Sequence, residues 1–146
     1  MKPDLTIEEK LRLICGKGSW HTEDFGGKLP AVSMSDGPVG LRTMYQAENG
    51  TWETWPAVAY PSVQVLANTW SEDCARLMGE CLGDDAAERN VDLLLGPGVN
   101  IKRNPLNGRN FEYFSEDPYL AGTLAKAYVS GVQSRGVGAC VKHFCC

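Results

Sequence analysis

The fold is decided by residues 91–101, VDLLLGPGVNI, and by residues 108–118, GRNFEYFSEDP. The apolar run Val91 to Leu95 predicts a buried strand, and the Gly-Pro-Gly that follows is a strong turn signal. A long polar loop that contains Arg109 comes next. A buried strand that leads through a charged loop into a helix is typical of one wall of an enzyme active site.

The elements on either side of this strand predict an α/β fold. Ser71 is a helix N-cap candidate, and the helix that it starts is predicted to run to about Asn90. Asp117 and Pro118 open another helix as N-cap and first helical residue. Residues 137–144 are predicted to form a further strand. The order helix, strand, helix, strand predicts parallel strands joined by crossover helices, within one domain over residues 1–146.

The first part of the chain begins with a short amphipathic helix. It is predicted over residues 5–14, with Thr6 as N-cap and Glu9 completing a capping box. Its apolar residues recur at helical spacing: Ile7, Leu11 and Ile14.

Three segments follow that helix and precede Ser71. Residues 29–34 are predicted to be a strand that stops at a turn sequence. Residues 43–53 show no apolar periodicity and are interpreted as a surface loop. Residues 57–67 are apolar but contain Pro61, so any strand there is expected to be short or irregular.

Composition excludes several classes of protein. The chain has 146 residues, 43% of them hydrophobic, and a formal charge of −4. The hydrophobic fraction excludes a disordered chain, and the negative charge argues against a nucleic-acid partner. No apolar run is long enough to predict a membrane-spanning helix. The N-terminus carries no secretory signal pattern, so a cytoplasmic location is expected.

Six cysteines allow two interpretations. Reduced thiols fit a cytoplasmic protein, and Cys74 and Cys81 share a helical face with apolar neighbours, which predicts burial. A metal site formed by the group Cys140, His143, Cys145 and Cys146 is the alternative. Its spacing matches no zinc pattern, so the structural interpretation is favoured.

Polar side chains follow three separate apolar strands: Asp36, Arg109, and the pair Lys142 and His143. In a parallel α/β fold the carboxyl ends of the strands lie on one face, so we expect these groups to converge. A carboxylate that accepts from hydroxyls, beside cations that donate to them, suits a monosaccharide pocket.

Local explanations exist for each of these groups. Asp36 before Gly-Pro is also expected in an Asx-turn. Arg109 would pair with Glu112 or Glu116 to brace its own loop. His143 would be a satisfied core histidine and Lys142 a surface charge. A phosphate loop at the Gly-Pro-Gly is disfavoured because the phosphate-binding spacings are absent.

Five motifs together resemble glycoside hydrolase family 3, and the resemblance covers essentially the whole chain. In order they are 5–10 (LTIEEK), 35–42 (SDGPVGLR), 95–101 (LGPGVNI), 108–118 (GRNFEYFSEDP) and 142–144 (KHF). The chain looks like the start of a bacterial or fungal β-glucosidase of that family.

The resemblance implies that the chain is the N-terminal portion of a (β/α)8 TIM-barrel-like domain. It also implies a retaining mechanism on β-linked glucosides or related sugars, with a small-molecule or oligosaccharide substrate. Carried over by position, Asp36 would bind hydroxyls in the glycone subsite, with Arg109, Lys142 and His143 around it and Arg42 nearby. No metal or organic cofactor is implied.

The resemblance also implies what this chain lacks. The family's nucleophile is an Asp on a later strand and its acid/base is a Glu from a following domain, and no residue here matches either position. We therefore expect no catalytic residue in the chain. We expect the isolated chain to be inactive, and either to be poorly stable or to pair with another copy or with its missing C-terminal part. The alternatives are a non-catalytic carbohydrate-binding or interaction module, and a structural fragment without a ligand.

Overall fold

The computed structural model describes residues 4–144. The helices are α1 (Ile7–Cys15), α2 (Val63–Asn68), α3 (Glu72–Glu88) and α4 (Pro118–Gln133). The strands are β1 (Met34–Asp36), β2 (Met44–Gln46), β3 (Trp52–Thr54), β4 (Leu93–Leu95) and β5 (Gly138–Ala139), and a 3-10 turn covers Asn110–Glu112. None of the helices in this part of the chain is long and apolar enough to cross a membrane.

Strands β1, β4 and β5 form a parallel sheet in that order. Met34 pairs with Leu93, and Leu93 pairs with Gly138 on its other side. Helix α3 precedes β4, and α4 connects β4 to β5. The predicted alternation of helices with parallel strands is therefore confirmed, and the carboxyl ends of the three strands lie at one edge of the sheet.

The core lies between the sheet and the α3–α4 pair. Leu82 of α3, Leu94 of β4 and Tyr128 and Val132 of α4 are fully buried. Serine and aspartate caps start the two helices as predicted: Cys74 N–H donates to Ser71 Oγ at 3.2 Å and Tyr119 N–H donates to Asp117 Oδ1 at 2.9 Å.

The predicted buried face of α3 was partly wrong. Cys74 and Leu77 are exposed, while Ala75 and Gly79 are buried beside Met78. The reason is the close approach of α4, which turns the small residues of α3 inward. Among the described cysteines, Cys15, Cys74, Cys81 and Cys140 form no disulfide.

Residues 43–53 are not a surface loop, as their lack of periodicity predicted, but most of a β-hairpin. Strand β2 pairs antiparallel with β3, and the turn contains Asn49, whose Oδ1 accepts from the Thr51 N–H at 2.9 Å. The rings of Tyr45 and Trp55 lie 4.3 Å apart across the hairpin. Ring contacts and a turn stabilise this hairpin rather than one buried face, so it shows no alternating pattern.

The apolar segment at 57–67 is also not a strand, because its second half belongs to helix α2. Ser62 is the N-cap, with its Oγ accepting from the Val65 N–H at 3.5 Å. Val63 and Leu66 are buried against the core. Pro61, which argued against a strand, lies directly before the cap.

The predicted strands at 29–34 and 137–144 are shorter or displaced. β1 begins only at Met34. The Val32 carbonyl before it accepts from the Thr22 N–H at 3.0 Å rather than from a strand of the sheet. β5 covers only Gly138–Ala139, and Lys142 forms an isolated parallel bridge with Gly98.

Helix α1 has its predicted capping box: Glu9 N–H donates to Thr6 Oγ1 at 3.1 Å and Thr6 N–H to Glu9 Oε2 at 2.7 Å. Its apolar face is exposed, however. Ile7 and Ile14 are 79% and 82% exposed, and Leu11 is 59% exposed.

Candidate functional site

A partly buried ion pair joins the carboxyl ends of β1 and β5. Asp36 is the last residue of β1, and Lys142 Nζ donates to its Oδ1 at 2.9 Å across 106 positions of sequence. The Lys142 side chain is 18% exposed and that of Asp36 is 38% exposed. The interpretation of Lys142 as a surface charge was therefore wrong.

The turn after Asp36 folds back onto the end of β1. Gly40 N–H donates to Gly37 O at 3.1 Å, and Arg42 N–H donates to Asp36 O at 2.9 Å. Gly37 has a φ of +118°, and a Cβ there would lie 2.0 Å from Gly40 O. Only glycine fits at this position, so the sequence SDGPVGLR fixes the backbone that presents the Asp36 carboxylate.

The segment after β5 is held to the loop that follows β4. Lys142 N–H donates to Pro97 O at 3.0 Å, and Val99 N–H donates to Lys142 O at 2.8 Å. The side chain of Asn100 bonds to the backbone of His143: its Oδ1 accepts from the His143 N–H at 2.7 Å and its Nδ2 donates to His143 O at 3.2 Å. Lys142 is thus positioned by the backbone bonds of its bridge to Gly98, and His143 by the side chain of Asn100.

Arg109 reaches His143 from the loop before the 3-10 turn. Its Nη2 lies 2.9 Å from His143 Nε2, and its Nε bonds to Glu112 Oε1. Tyr113, which is fully buried, places its hydroxyl 3.0 Å from His143 Nδ1. Arg109 therefore both braces its own loop, as one prediction held, and joins the strand-end groups.

We call Asp36, Arg109, Lys142 and His143 the polar cluster. Burial of the Asp36 carboxyl opposes its ionisation, but the hydrogen bond and charge of Lys142, the Gly37 N–H and the charge of Arg42 outweigh it and lower its pKa. Asp36 is therefore ionised at neutral pH.

The pKa of His143 is lowered as well. Burial disfavours its charged form, and so do the charges of Arg109 and Lys142; Glu112 and Asp36 act in the opposite direction. The imidazole is therefore neutral at neutral pH.

Arg42 acts on the polar cluster through its charge, which lowers the pKa of Asp36. Its backbone bonds to Asp36, but among residues 4–144 its guanidinium forms no hydrogen bond or ion pair with the cluster. It instead lines a cavity of about 520 Å³ together with Ser33, Met34 and Val91, at the amino ends of β1 and β4. Its predicted place near a sugar stays a prediction.

Asn100 and Tyr113 were not predicted as site residues from the sequence, although both contact His143. Both lie inside the two stretches that decide the fold. The signal available was position, since Asn100 follows the turn at the end of β4 and Tyr113 follows Glu112. No group of three or more potential metal ligands occurs among residues 4–144, and Cys145 and Cys146 of the cysteine group lie outside them.

Comparison with known proteins identifies the family. The model of the glycosyl hydrolase family 3 N-terminal domain matches residues 26–146. The chain belongs to glycosyl hydrolase family 3. Its polar cluster therefore lies on the N-terminal part of a TIM-barrel-like α/β domain, as the fold prediction stated.

Two relatives of this family 3 chain show how much of a protein it covers. It is 49% identical over 145 residues to thermostable β-glucosidase B of Acetivibrio thermocellus, covering 96% of this chain and 19% of the relative. It is 44% identical over 145 residues to an exo-α-(1→6)-L-arabinopyranosidase of Bifidobacterium longum, covering 97% and 19%.

A solved structure gives the same result. That of β-glucosidase 3B from Thermotoga neapolitana in complex with glucose superimposes with a TM-score of 0.84 at 42% identity, covering 96% of this chain and 22% of that one. The chain thus spans about a fifth of the length of these proteins.

Proposed function

We propose that the full-length protein containing this chain hydrolyses β-glycosidic bonds with retention, and that this chain supplies glycone-binding residues. The observation that carries the proposal is the Asp36–Lys142 ion pair next to the Arg109–His143 contact at the carboxyl ends of the parallel strands. Relatives named β-glucosidases, and a solved neighbour in complex with glucose, support β-glucosides as the substrate class.

The polar cluster has the chemistry that a sugar ring requires. Each hydroxyl of a pyranose both donates and accepts, so a carboxylate such as Asp36 accepts from two neighbouring hydroxyls. Lys142 and Arg109 carry only donors and bond to the hydroxyl oxygens. Charge-assisted bonds of this kind are stronger than bonds between neutral groups, so the cluster favours a polyhydroxyl ligand over an apolar one.

We further propose that the nucleophile and the acid/base lie outside these 146 residues. A retaining glycosidase needs two carboxyl groups about 5–5.5 Å apart, one of them protonated at the start of the reaction. In the cluster, Lys142 keeps Asp36 ionised, and Glu112 is bonded to Arg109. Asp36 therefore does not suit a general acid, and the chain covers only about a fifth of its relatives.

Hydrolysis of an aryl β-glucoside tests the proposal. We expect none from the isolated chain and clear activity from the full-length protein, measured by release of nitrophenol. A full-length protein that fails on aryl β-glucosides, β-xylosides and β-N-acetylglucosaminides alike contradicts the proposal. Glucose binding by the isolated chain in calorimetry, combined with an inactive full-length protein, indicates a non-catalytic sugar-binding module instead.

We also propose that the isolated chain self-associates through α1, whose apolar stripe Ile7, Leu11 and Ile14 is exposed. Size-exclusion chromatography should show species larger than a monomer, and the double change Leu11→Lys and Ile14→Lys should shift the protein toward monomer. The matched control is Leu106→Lys, because Leu106 is exposed alone on a loop. A monodisperse unaltered monomer with a sharp melting transition contradicts the proposal.

The cytoplasmic location stays a prediction.

A further inference from the structure

We propose that His143 is a positioning residue that holds Arg109 by accepting a hydrogen bond at Nε2, and that Tyr113 and Asn100 fix the ring in the tautomer that permits it. The inference depends on the proposed function only for what Arg109 binds. The contacts that carry it involve two side chains, Asn100 and Tyr113, to which neither the motif analysis nor the family comparison gave a role.

The protons of the contact follow from the donor inventory. Arg109 Nη2 is a donor and cannot accept, so at 2.9 Å the facing His143 Nε2 must present its lone pair. A neutral ring with a bare Nε2 carries its proton on Nδ1. Nδ1 faces two oxygens that accept it, the Tyr113 hydroxyl at 3.0 Å and Asn100 Oδ1 at 3.4 Å.

The orientation of the Asn100 amide is fixed independently of the ring. Its Oδ1 must face the His143 N–H at 2.7 Å, and its Nδ2 must face the His143 carbonyl at 3.2 Å. In a flipped amide, Nδ2 would face the His143 N–H, which is a second donor, and Oδ1 would face the His143 carbonyl, which is a second acceptor. Because the amide oxygen is thus committed, the nearby Nδ1 finds an acceptor rather than a donor, and one tautomer satisfies every contact.

The contacts with Glu112 and His143 both hold the Arg109 guanidinium. Glu112 bonds to its Nε and His143 to its Nη2, so the guanidinium plane is defined by groups on the loop after β4 and on the segment after β5. A guanidinium fixed in this way loses less side-chain entropy when a ligand binds, and so binds more tightly.

The contact responds to pH in one direction. Among residues 4–144, Arg109 and Lys142 oppose protonation of the ring, whereas Glu112 and Asp36 favour it, and Tyr113 contacts Nδ1. The pKa of His143 is lowered by burial and by these charges. The contact is therefore complete above the unfolded pKa of about 6.5 and is lost as the pH falls through the lower folded pKa, when Nε2–H would face Arg109.

Ring-nitrogen NMR of the full-length protein with isotope-labelled histidine tests the tautomer without any activity assay. His143→Gln assigns the signal. At about pH 7.5 we expect a protonated Nδ1 and a bare Nε2, with titration beginning below about 6.5. The double change Tyr113→Phe and Asn100→Ala should give a mixture of tautomers, and the matched control Tyr60→Phe, which removes a hydroxyl bonded to Asp85, should not.

Affinity for glucose, measured as a competitive inhibition constant, tests the positioning role. We expect Tyr113→Phe to weaken glucose binding about tenfold, the scale of one hydrogen bond to a charged network. His143→Gln, whose amide oxygen can still accept from Arg109, should stay within about tenfold of the unaltered protein. It should also lose the weakening of affinity below about pH 6.5. His143→Leu should bind at least about 100-fold more weakly.

The outcomes separate the two proposals. A proton on Nε2, a charged ring at about pH 7.5, or a His143→Gln variant as weak as His143→Leu overturns the positioning role even in an active glycosidase. The expected tautomer in a protein that hydrolyses no glycoside overturns the proposed function and leaves the assignment of the ring intact.

Discussion

Replacing Gly131 by alanine is expected to unfold this part of the protein. Gly131 lies on α4 where the helix touches α3, and a Cβ there would lie 2.2 Å from Arg76 O and 2.8 Å from Glu80 N. Both of these atoms belong to the backbone of α3, so no side chain can move aside.

The size of the expected loss of stability follows from the same contact seen from α3. A Cβ on Gly79 would lie 2.1 Å from Tyr128 O, so the two backbones touch through both glycines. Separating the helices would loosen the packing of Leu82 and Val132, which are fully buried. We expect a loss of at least about 3 kcal/mol, the upper end for overpacking, which is a large part of a domain's stability.

Thermal unfolding and soluble yield of the full-length protein measure this effect, with Gly122→Ala as the matched control. Gly122 is on the same helix, but a Cβ there meets nothing within 4 Å. Because alanine favours helix over glycine, the control should gain up to about 1 kcal/mol. A Gly131→Ala protein that melts like the control would show that the helices do not approach as closely as described.

The parts of the fold that were predictable depend on neighbours in sequence. The caps formed by Thr6, Ser71 and Asp117 involve residues two or three positions away, so the pattern of residue types suffices to predict them. The parallel sheet follows from the alternation of helices and strands, which is also local. Because the sheet is parallel, we expected the polar side chains at the carboxyl ends of its strands to lie close together, and the Asp36–Lys142 bond agrees with this expectation.

The parts that were not predictable depend on partners far along the chain. The buried face of α3 is set by α4, about 50 positions away, which draws Gly79 inward and leaves Leu77 exposed. The roles of Asn100 and Tyr113 rest on distances to His143, and no residue pattern encodes which nitrogen of the ring faces which oxygen. Sequence thus predicts which groups converge, and geometry is needed to assign protons and contacts.

Replacing Asp36 by alanine is expected to reduce kcat/KM of the full-length protein for an aryl β-glucoside by roughly 10³-fold. The change removes the carboxylate that would accept from sugar hydroxyls. It also leaves the Lys142 ammonium, only 18% exposed, without the partner to which it donates at 2.9 Å. Each hydrogen bond between this carboxylate and a sugar hydroxyl is worth about 1.5–3 kcal/mol, and the loss of two of them corresponds to this reduction.

The loss should be constant across the neutral range. The pKa of Asp36 is lowered, so the contribution of the pair is present above the unfolded pKa of about 3.9 and is lost only as the pH falls through the lower folded value. Between about pH 7 and 8, above the range in which His143 titrates, the carboxylate stays ionised, and the ratio of mutant to unaltered kcat/KM should not change.

A structural role for the pair predicts a different result, and Asp24→Ala separates the two. Asp24 is exposed, accepts from the Gly26 N–H at 2.7 Å and bonds to no member of the polar cluster among residues 4–144, so its replacement should leave kcat/KM unchanged. If Asp36 serves only the fold, Asp36→Ala should lower the melting temperature, and kcat/KM per folded molecule should be normal. If it binds the sugar, kcat/KM per folded molecule falls while the melting temperature changes little, because the pair is partly exposed and contributes modestly to stability.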